Sequence, residues 1–166
     1  MSAPTISTAR LSLVLESTEA ILARIAAMSA ADRAEVSPDW LARLRGAVAP
    51  GPWTHGFAMV ERATGAVVGS CAYKGPPDAE GTVEIAYGLD PAYRGRGYAR
   101  EAAAALATYA LDAGRARRVR AHTAPEHGAS TRVLAACGFE FVGEVVDPED
   151  GLVWRWELVA SSRGPV

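Results

Sequence analysis

Apolar and polar residues alternate along "ARLSLVLE", residues 9–16, which is the spacing of a half-buried strand. The period then changes: after Ser17-Thr18-Glu19, the positions Ala20, Ile21, Ile25 and Met28 fall on one face of a helix. "SPDWLARLRG" predicts a second helix, with Ser37 as N-cap, Pro38 as first residue and Gly46 as stop. Strand patterns return in "HGFAMVER" and "AVVGSCAYK", which flank a turn at Ala63-Thr64-Gly65, and in "TVEIAYGLD" beyond the loop "GPPDAEG". In that third strand Val83, Ile85, Tyr87 and Leu89 share one face, and Glu84, Ala86 and Gly88 the other. Pro91 breaks the pattern. The longest helix follows, from about Gly97 to Ala113, with Gly114 as a left-handed cap. "RVRAHTA" predicts a strand, "GASTRVLAAC" a helix ending at Gly138, and "FEFVGEVV" with "GLVWRWELV" a closing hairpin about "DPEDG".

The order β-α-α-β-β-β-α-β-α-β-β places about seven strands and four helices in one chain. Tight turns between consecutive strands imply a mostly antiparallel sheet, with the later helices crossing over between parallel neighbours. The fold class is therefore α+β (mixed α/β) and not doubly wound. A chain of 166 residues suits a single domain, with its core over about 8–159 and a frayed tail over 160–166.

Composition narrows the functions available. Hydrophobic residues at 49% and charged residues at 22% describe a soluble globular chain, and no run approaches a membrane span. The N-terminal stretch has no basic segment ahead of an apolar core, so a cytoplasmic protein without a secretory signal is expected. A net charge of -2 argues against nucleic acid as a partner. Cys71 and Cys137 form no CxxC pair, and His55, His122 and His127 form no HxxxH or HExxH, so no metal is expected.

The cations are nearly all arginine, Lys74 being the one lysine, and three of them meet at one helix start. In "YRGRGYAREAAAALATYAL" a short turn with two glycines leads at once into the long helix. The first amides of a helix have no internal partner, and the helix dipole adds about half a positive charge there. Gly95 and Gly97 let an anion approach the backbone, while Arg94, Arg96 and Arg100 add charge around it. A P-loop would need GxxxxGK[ST], and a dinucleotide fingerprint would need Gly or Ala where Arg100 stands.

This stretch resembles motif A of the GCN5-related N-acetyltransferases (GNAT), Q/R-x-x-G-x-G/A, with Arg94, Gly97 and Ala99 in the fixed positions. "EIAYGLDPAYRG", "YAREA" and "ASTRVLAACGFEFVGE" resemble the branch that includes the ribosomal-protein N-terminal acetyltransferases, whose later motif reads NxxSxRVxxxxGF. The resemblance covers roughly residues 8–159. It implies an acetyltransferase that uses acetyl-CoA (coenzyme A) as cosubstrate and an amine acceptor, either a protein N-terminus or a small molecule. It also implies a sheet splayed at the cofactor site, and relatives of this kind commonly form a homodimer.

The same resemblance assigns the amides of Gly95, Arg96, Gly97, Tyr98 and Ala99 to the CoA pyrophosphate, and the strand at Gly88 and Leu89 to the pantetheine arm. The Leu89 amide would be the oxyanion donor. His127 stands where the family has the cofactor-binding Asn, and Leu134 where many members have a tyrosine acid. Glu84 is the candidate base: its strand face is otherwise small, which leaves room beside a carboxylate. Deprotonating an α-amine at pH 7 costs about 1.4 kcal/mol and a lysine about 4.6 kcal/mol, so a base is useful. Ser130 is the candidate proton source for the leaving thiolate. A solvent-facing glutamate and a helix-capping serine are the plain alternatives for these two. An inactive acyl-CoA-binding module stays open as the alternative function. The basic run "RARRVR" at 115–120 pairs naturally with a helix end, or with the 3′-phosphate of CoA. Trp154 and Trp156 share a strand face, and the resemblance places Trp40 and Trp53 beside the acceptor side of the cleft.

Overall fold

The computed structural model describes residues 5–160, so the expected tail lies almost wholly outside the described residues. The elements run β1 (Thr5–Ser7), β2 (Leu11–Leu15), α1 (Thr18–Ala26), α2 (Ala30–Ala34), α3 (Pro38–Gly46), β3 (Phe57–Glu61), β4 (Val67–Tyr73), β5 (Thr82–Leu89), α4 (Tyr98–Leu111), β6 (Arg118–Thr123), α5 (Ala129–Ala136), β7 (Glu140–Asp147) and β8 (Gly151–Val159). They build one 8-stranded sheet in the order β1-β2-β3-β4-β5-β6-β8-β7. Every neighbouring pair is antiparallel except β5 with β6.

The α+β class and the hairpins stand as expected, with three differences. Strand β1 and helix α2 were not anticipated, because one has three residues and the other buries none, so neither carries a hydrophobic period. Helix α4 stops at Leu111 and not at Ala113, since Ala113 itself is left-handed (φ 55) ahead of Gly114 (φ 71). Only α4 crosses between parallel neighbours; α5 links β6 to β7, which lie on either side of β8.

Leu11, Leu13, Phe57, Met59, Val68, Leu106 and Leu134 are fully buried between the sheet and helices α4 and α5. The Tyr73 hydroxyl donates to the carbonyl of Leu106 at 2.5 Å, tying β4 to the middle of α4. A second cluster, Ile21, Ile25 and Leu44 with Met28 and Trp40 packed on it, holds α1 and α3 together. Fully buried His55 joins this lobe to the sheet. Its Nδ1 accepts from the Gly51 amide, so its Nε2 donates to Thr18 Oγ1 at 2.8 Å, and burial lowers its pKa.

The start of α4 is clamped from outside the helix. The Glu101 carboxylate accepts from Thr8 Oγ1 at 2.5 Å, from the Arg10 amide at 2.6 Å and from Arg10 Nε at 2.9 Å. Burial raises the Glu101 pKa, but these bonds and the Arg10 charge outweigh it and leave the net value below the usual 4.5. A depressed carboxyl stabilises the fold above its unfolded value, and that stability is lost as pH falls through the folded value. Arg10 is 46% exposed and therefore screened, so the hydroxyl and amide bonds carry most of the effect. Glu101→Gln is expected to cost about 1 kcal/mol in urea unfolding at pH 7, with the difference from the parent shrinking as pH falls below the ordinary carboxyl range.

Candidate active site

After Leu89 the chain makes a tight turn and enters α4. Gly95 (φ 79) and Gly97 (φ 85) both take left-handed conformations there, and Gly97 is the N-cap, so no side chain covers the first amides of the helix. These amides face a cleft of about 750 Å³. Gly95, Gly97 and Ala99 form one end, Tyr87, Gly88 and Leu89 one wall, and Ser130 and Val133 of α5 the opposite wall. Arg94, Arg100 and Arg132 stand around it. The other two residues of the turn send their side chains elsewhere. Arg96 lies over the Tyr93 ring at 5.5 Å. Tyr98 is buried beneath Arg10, with its hydroxyl on the Glu61 carboxylate.

The wall formed by β5 is an open strand edge. Its pairing with β6 runs from Thr82↔Arg118 to Ile85↔Ala121 and goes no further, although β5 continues to Leu89. On the other side, Lys74 N donates to Glu84 O at 2.8 Å and Asp90 N to Val68 O at 2.9 Å. Antiparallel bonding alternates, so the even-numbered residues of β5 spend their backbone groups on β4. The N–H and C=O of Tyr87 and the N–H of Leu89 therefore point into the gap. Gly88 bonds Ser70 through its backbone and contributes a bare surface, with nothing within 4 Å of where a Cβ would lie.

On the α5 wall, Thr131 caps the helix: its Oγ1 accepts from the Gly128 amide at 3.0 Å and donates to the Gly128 carbonyl at 2.9 Å. Ser130 is thus spared a capping role and lines the cleft, as does Tyr87. Burial pushes the Tyr87 phenol up to about 12. His127 packs edge-on against Trp154, with ring centres 4.9 Å apart, and does not line the cleft.

Glu84 opens onto the other face of β5, into a second cleft of about 560 Å³ that Trp40, Ala72, Lys74, Asp147, Glu149 and Asp150 also line. Lys74 Nζ lies 3.1 Å from Glu84 Oε2, 3.3 Å from Asp150 and 4.0 Å from Glu149. Burial works against its charge, but Glu84 and Asp150 outweigh that and hold the ammonium above the usual lysine value. His122 Nδ1 approaches Glu84 Oε2 at 3.3 Å and Asp147 Oδ1 at 3.9 Å. Glu84, His122 and Asp147 each place a potential metal-ligand atom within 4.8 Å of the others, a grouping that motif spacing along the chain did not show. Trp40 donates from its indole to Thr54 O at 2.7 Å, whereas Trp53 packs on Tyr73 in the core.

The run at 115–120 takes no part in either wall of the first cleft. Arg115 covers Tyr109, and Arg118 and Arg120 pair with Glu157. Sequence reasoning missed Tyr87, Arg132, Lys74, His122 and Asp147. Tyr87 alternates in phase with buried Val83 and Ile85, and only the parting of β5 from β6 turns that face into a cleft. Arg132 sits inside the recognised later motif and was the one legible from sequence. The other three come from separate strands and turns.

Residues 11–140 match the Acetyltransferase (GNAT) domain family. An uncharacterised N-acetyltransferase, p20, of Bacillus licheniformis is 29% identical over 93 residues, which are 56% of this chain and 52% of that protein, so the match spans about half the length of that relative. The fold is similar to that of RimL, a ribosomal L7/L12 alpha-N-protein acetyltransferase solved with coenzyme A (TM-score 0.71, 16% identity, 94% of this chain and 98% of that one). It is also similar to ribosomal-protein-S5-alanine acetyltransferase from Vibrio fischeri (TM-score 0.67, 16% identity, 98% and 100% of the two chains). With the family match spanning most of the chain and the glycine turn and parted strands in place, the chain belongs to the GNAT acetyltransferase family.

Proposed function

We propose that the protein transfers an acetyl group from acetyl-CoA to a primary amine by direct attack on the thioester. The observation that carries this is the open edge of β5, which leads from the glycine turn to the strands' parting point beside Glu84. The pyrophosphate lies on the amides after Gly95 and Gly97, with Arg94, Arg100 and Arg132 answering its charge. The pantetheine arm pairs with the free backbone groups of Tyr87 and Leu89, as an added strand would.

The acceptor enters from the second cleft. Its carboxylates already hold one primary ammonium, that of Lys74, which supports a cationic amine as the group received there. Glu84 takes the proton from the incoming ammonium, and the neutral nitrogen attacks the carbonyl carbon. The Leu89 amide meets the oxygen that gains charge. Collapse breaks the C–S bond, the attacking nitrogen sheds its second proton to water in the open cleft, and the thiolate takes a proton from the Ser130 hydroxyl, which solvent restores. Tyr87 stands in for the tyrosine that the family often carries at the position of Leu134, here fully buried.

The acceptor is to be sought in a panel of primary amines: short peptides with free Ser or Ala N-termini, spermidine and an aminoglycoside. Thiol release from acetyl-CoA should saturate and should require the amine; its absence across the panel with CoA still bound would favour the inactive binding module. Glu84→Gln should lower kcat by about 10²-fold while leaving CoA affinity within about twofold. Gly97→Glu should weaken CoA binding in calorimetry by more than about tenfold, because residue 97 is left-handed and a Cβ there would press on the Arg10 guanidinium, 3.1 Å away, so the turn that presents the amides must shift. Circular dichroism melting of the same sample checks that the fold survives.

A further inference from the structure

A row of charged and polar side chains crosses the sheet just beyond its parting point. His122 follows Ala121, the last β6 residue paired with β5, and Arg155 is its cross-strand partner on β8. Arg155 Nε donates to His122 Nε2 at 3.1 Å. An imidazole nitrogen that accepts an N–H carries its lone pair, so the proton of neutral His122 belongs on Nδ1. That nitrogen is buried, on a side chain only 5% exposed, and has no aligned hydrogen bond among the described residues. It points at Glu84 Oε2, 3.3 Å away, with Asp147 next at 3.9 Å. Asp147 is held in place through its other oxygen, Oδ2, which accepts the amides of Glu149 and Asp150 at 3.0 Å each, and this keeps Oδ1 beyond hydrogen-bond distance of the ring.

We propose that His122 is a positioning residue for Glu84, with Arg155 fixing the tautomer that lets it donate. This rests on the reading of Glu84 as the base. His122 and Lys74 both approach Oε2, which turns Oε1 toward the acceptor amine as the oxygen that receives its proton. A bond that is long and poorly aligned before substrate binds, and that tightens in the reacting complex, is the usual behaviour of such groups. The arrangement is the orienting-group logic of a catalytic triad applied to a carboxylate base. The same hydrogen bond argues against a cation among Glu84, His122 and Asp147. A metal-bound histidine donates through its second nitrogen, whereas here that nitrogen faces a donor.

The tautomer is read without any acceptor, by long-range ¹H–¹⁵N NMR of the histidine ring nitrogens at neutral pH. The expected result is a protonated Nδ1 and an unprotonated Nε2 for His122, assigned by loss of the signal in His122→Asn; an Nε2–H tautomer would overturn the proposal. With spermidine or a Ser-Ala-Ala peptide as acceptor, His122→Ala should lower kcat about 10–100-fold with KM for acetyl-CoA unchanged within about twofold. His122→Asn, which keeps an N–H donor near the place of Nδ1, should recover most of that loss. The double variant Glu84→Gln with His122→Ala should be no slower than Glu84→Gln alone, because one residue acts through the other. Losses that multiply would overturn the positioning role while leaving Glu84 as base; a harmless Glu84→Gln would instead remove the base reading itself. Activity abolished by a chelator and restored by zinc would also overturn it, since a cation would then sit where the proton is placed.

Discussion

The functional architecture depends on one broken ladder. Strands β5 and β6 pair in parallel for four residue positions and then separate, while β5 stays bonded to β4 on its other side. A strand held on one side only presents unsatisfied N–H and C=O groups on the other, and burying such groups without partners costs a few kcal/mol. They are stable here because the gap is a cleft open to solvent and to an extended ligand. The parting also joins the two faces of the sheet. Without it the phosphate turn and Glu84 would lie on opposite sides of a continuous hydrogen-bonded layer.

The glycine turn is held in place by its surroundings as well as by its own backbone. Two left-handed glycines one residue apart, Gly95 and Gly97, favour no single shape by themselves. Around them, Glu101 is gripped by Thr8 and Arg10, Tyr98 is buried with its hydroxyl on Glu61, and Arg10 lies over the Tyr98 ring. These contacts reach from α4 to the loop after β1 and to the end of β3. The first turn of α4 is therefore anchored from the side away from the first cleft, and its amides remain free on the other.

The two clefts differ in electrostatic character as their ligands would require. Arginines 94, 100 and 132 surround the cleft proposed for the diphosphate, and Glu84, Asp147, Glu149 and Asp150 surround the one proposed for the amine. The pH-dependent groups follow the same division. Asp147 feels an opposing burial effect, yet the two turn amides and the Lys74 charge hold its carboxyl below the usual range. A charged acceptor would meet that field before reaching the thioester.

Much of this was written into local sequence. The period-2 runs of β2–β8, the capped helix at Ser37–Gly46, the turn at Asp147–Gly151 and the glycine pair ahead of an alanine-rich helix are each legible within about ten residues, because strand period, helix caps and left-handed turns are local physics. The glycine turn proposed for the phosphates was legible for the same reason: it is one continuous segment. The catalytic side was not. Glu84 could be nominated, but its neighbours Lys74, His122, Asp147 and Arg155 come from four other places in the chain, and no spacing rule joins them. Tyr87 had the pattern of a core residue, and its exposure to the cleft depends on where β5 leaves β6. That point is set by which strands pair and how far, a property of the assembled sheet; a run of residues specifies its own period, but not where its partner strand stops.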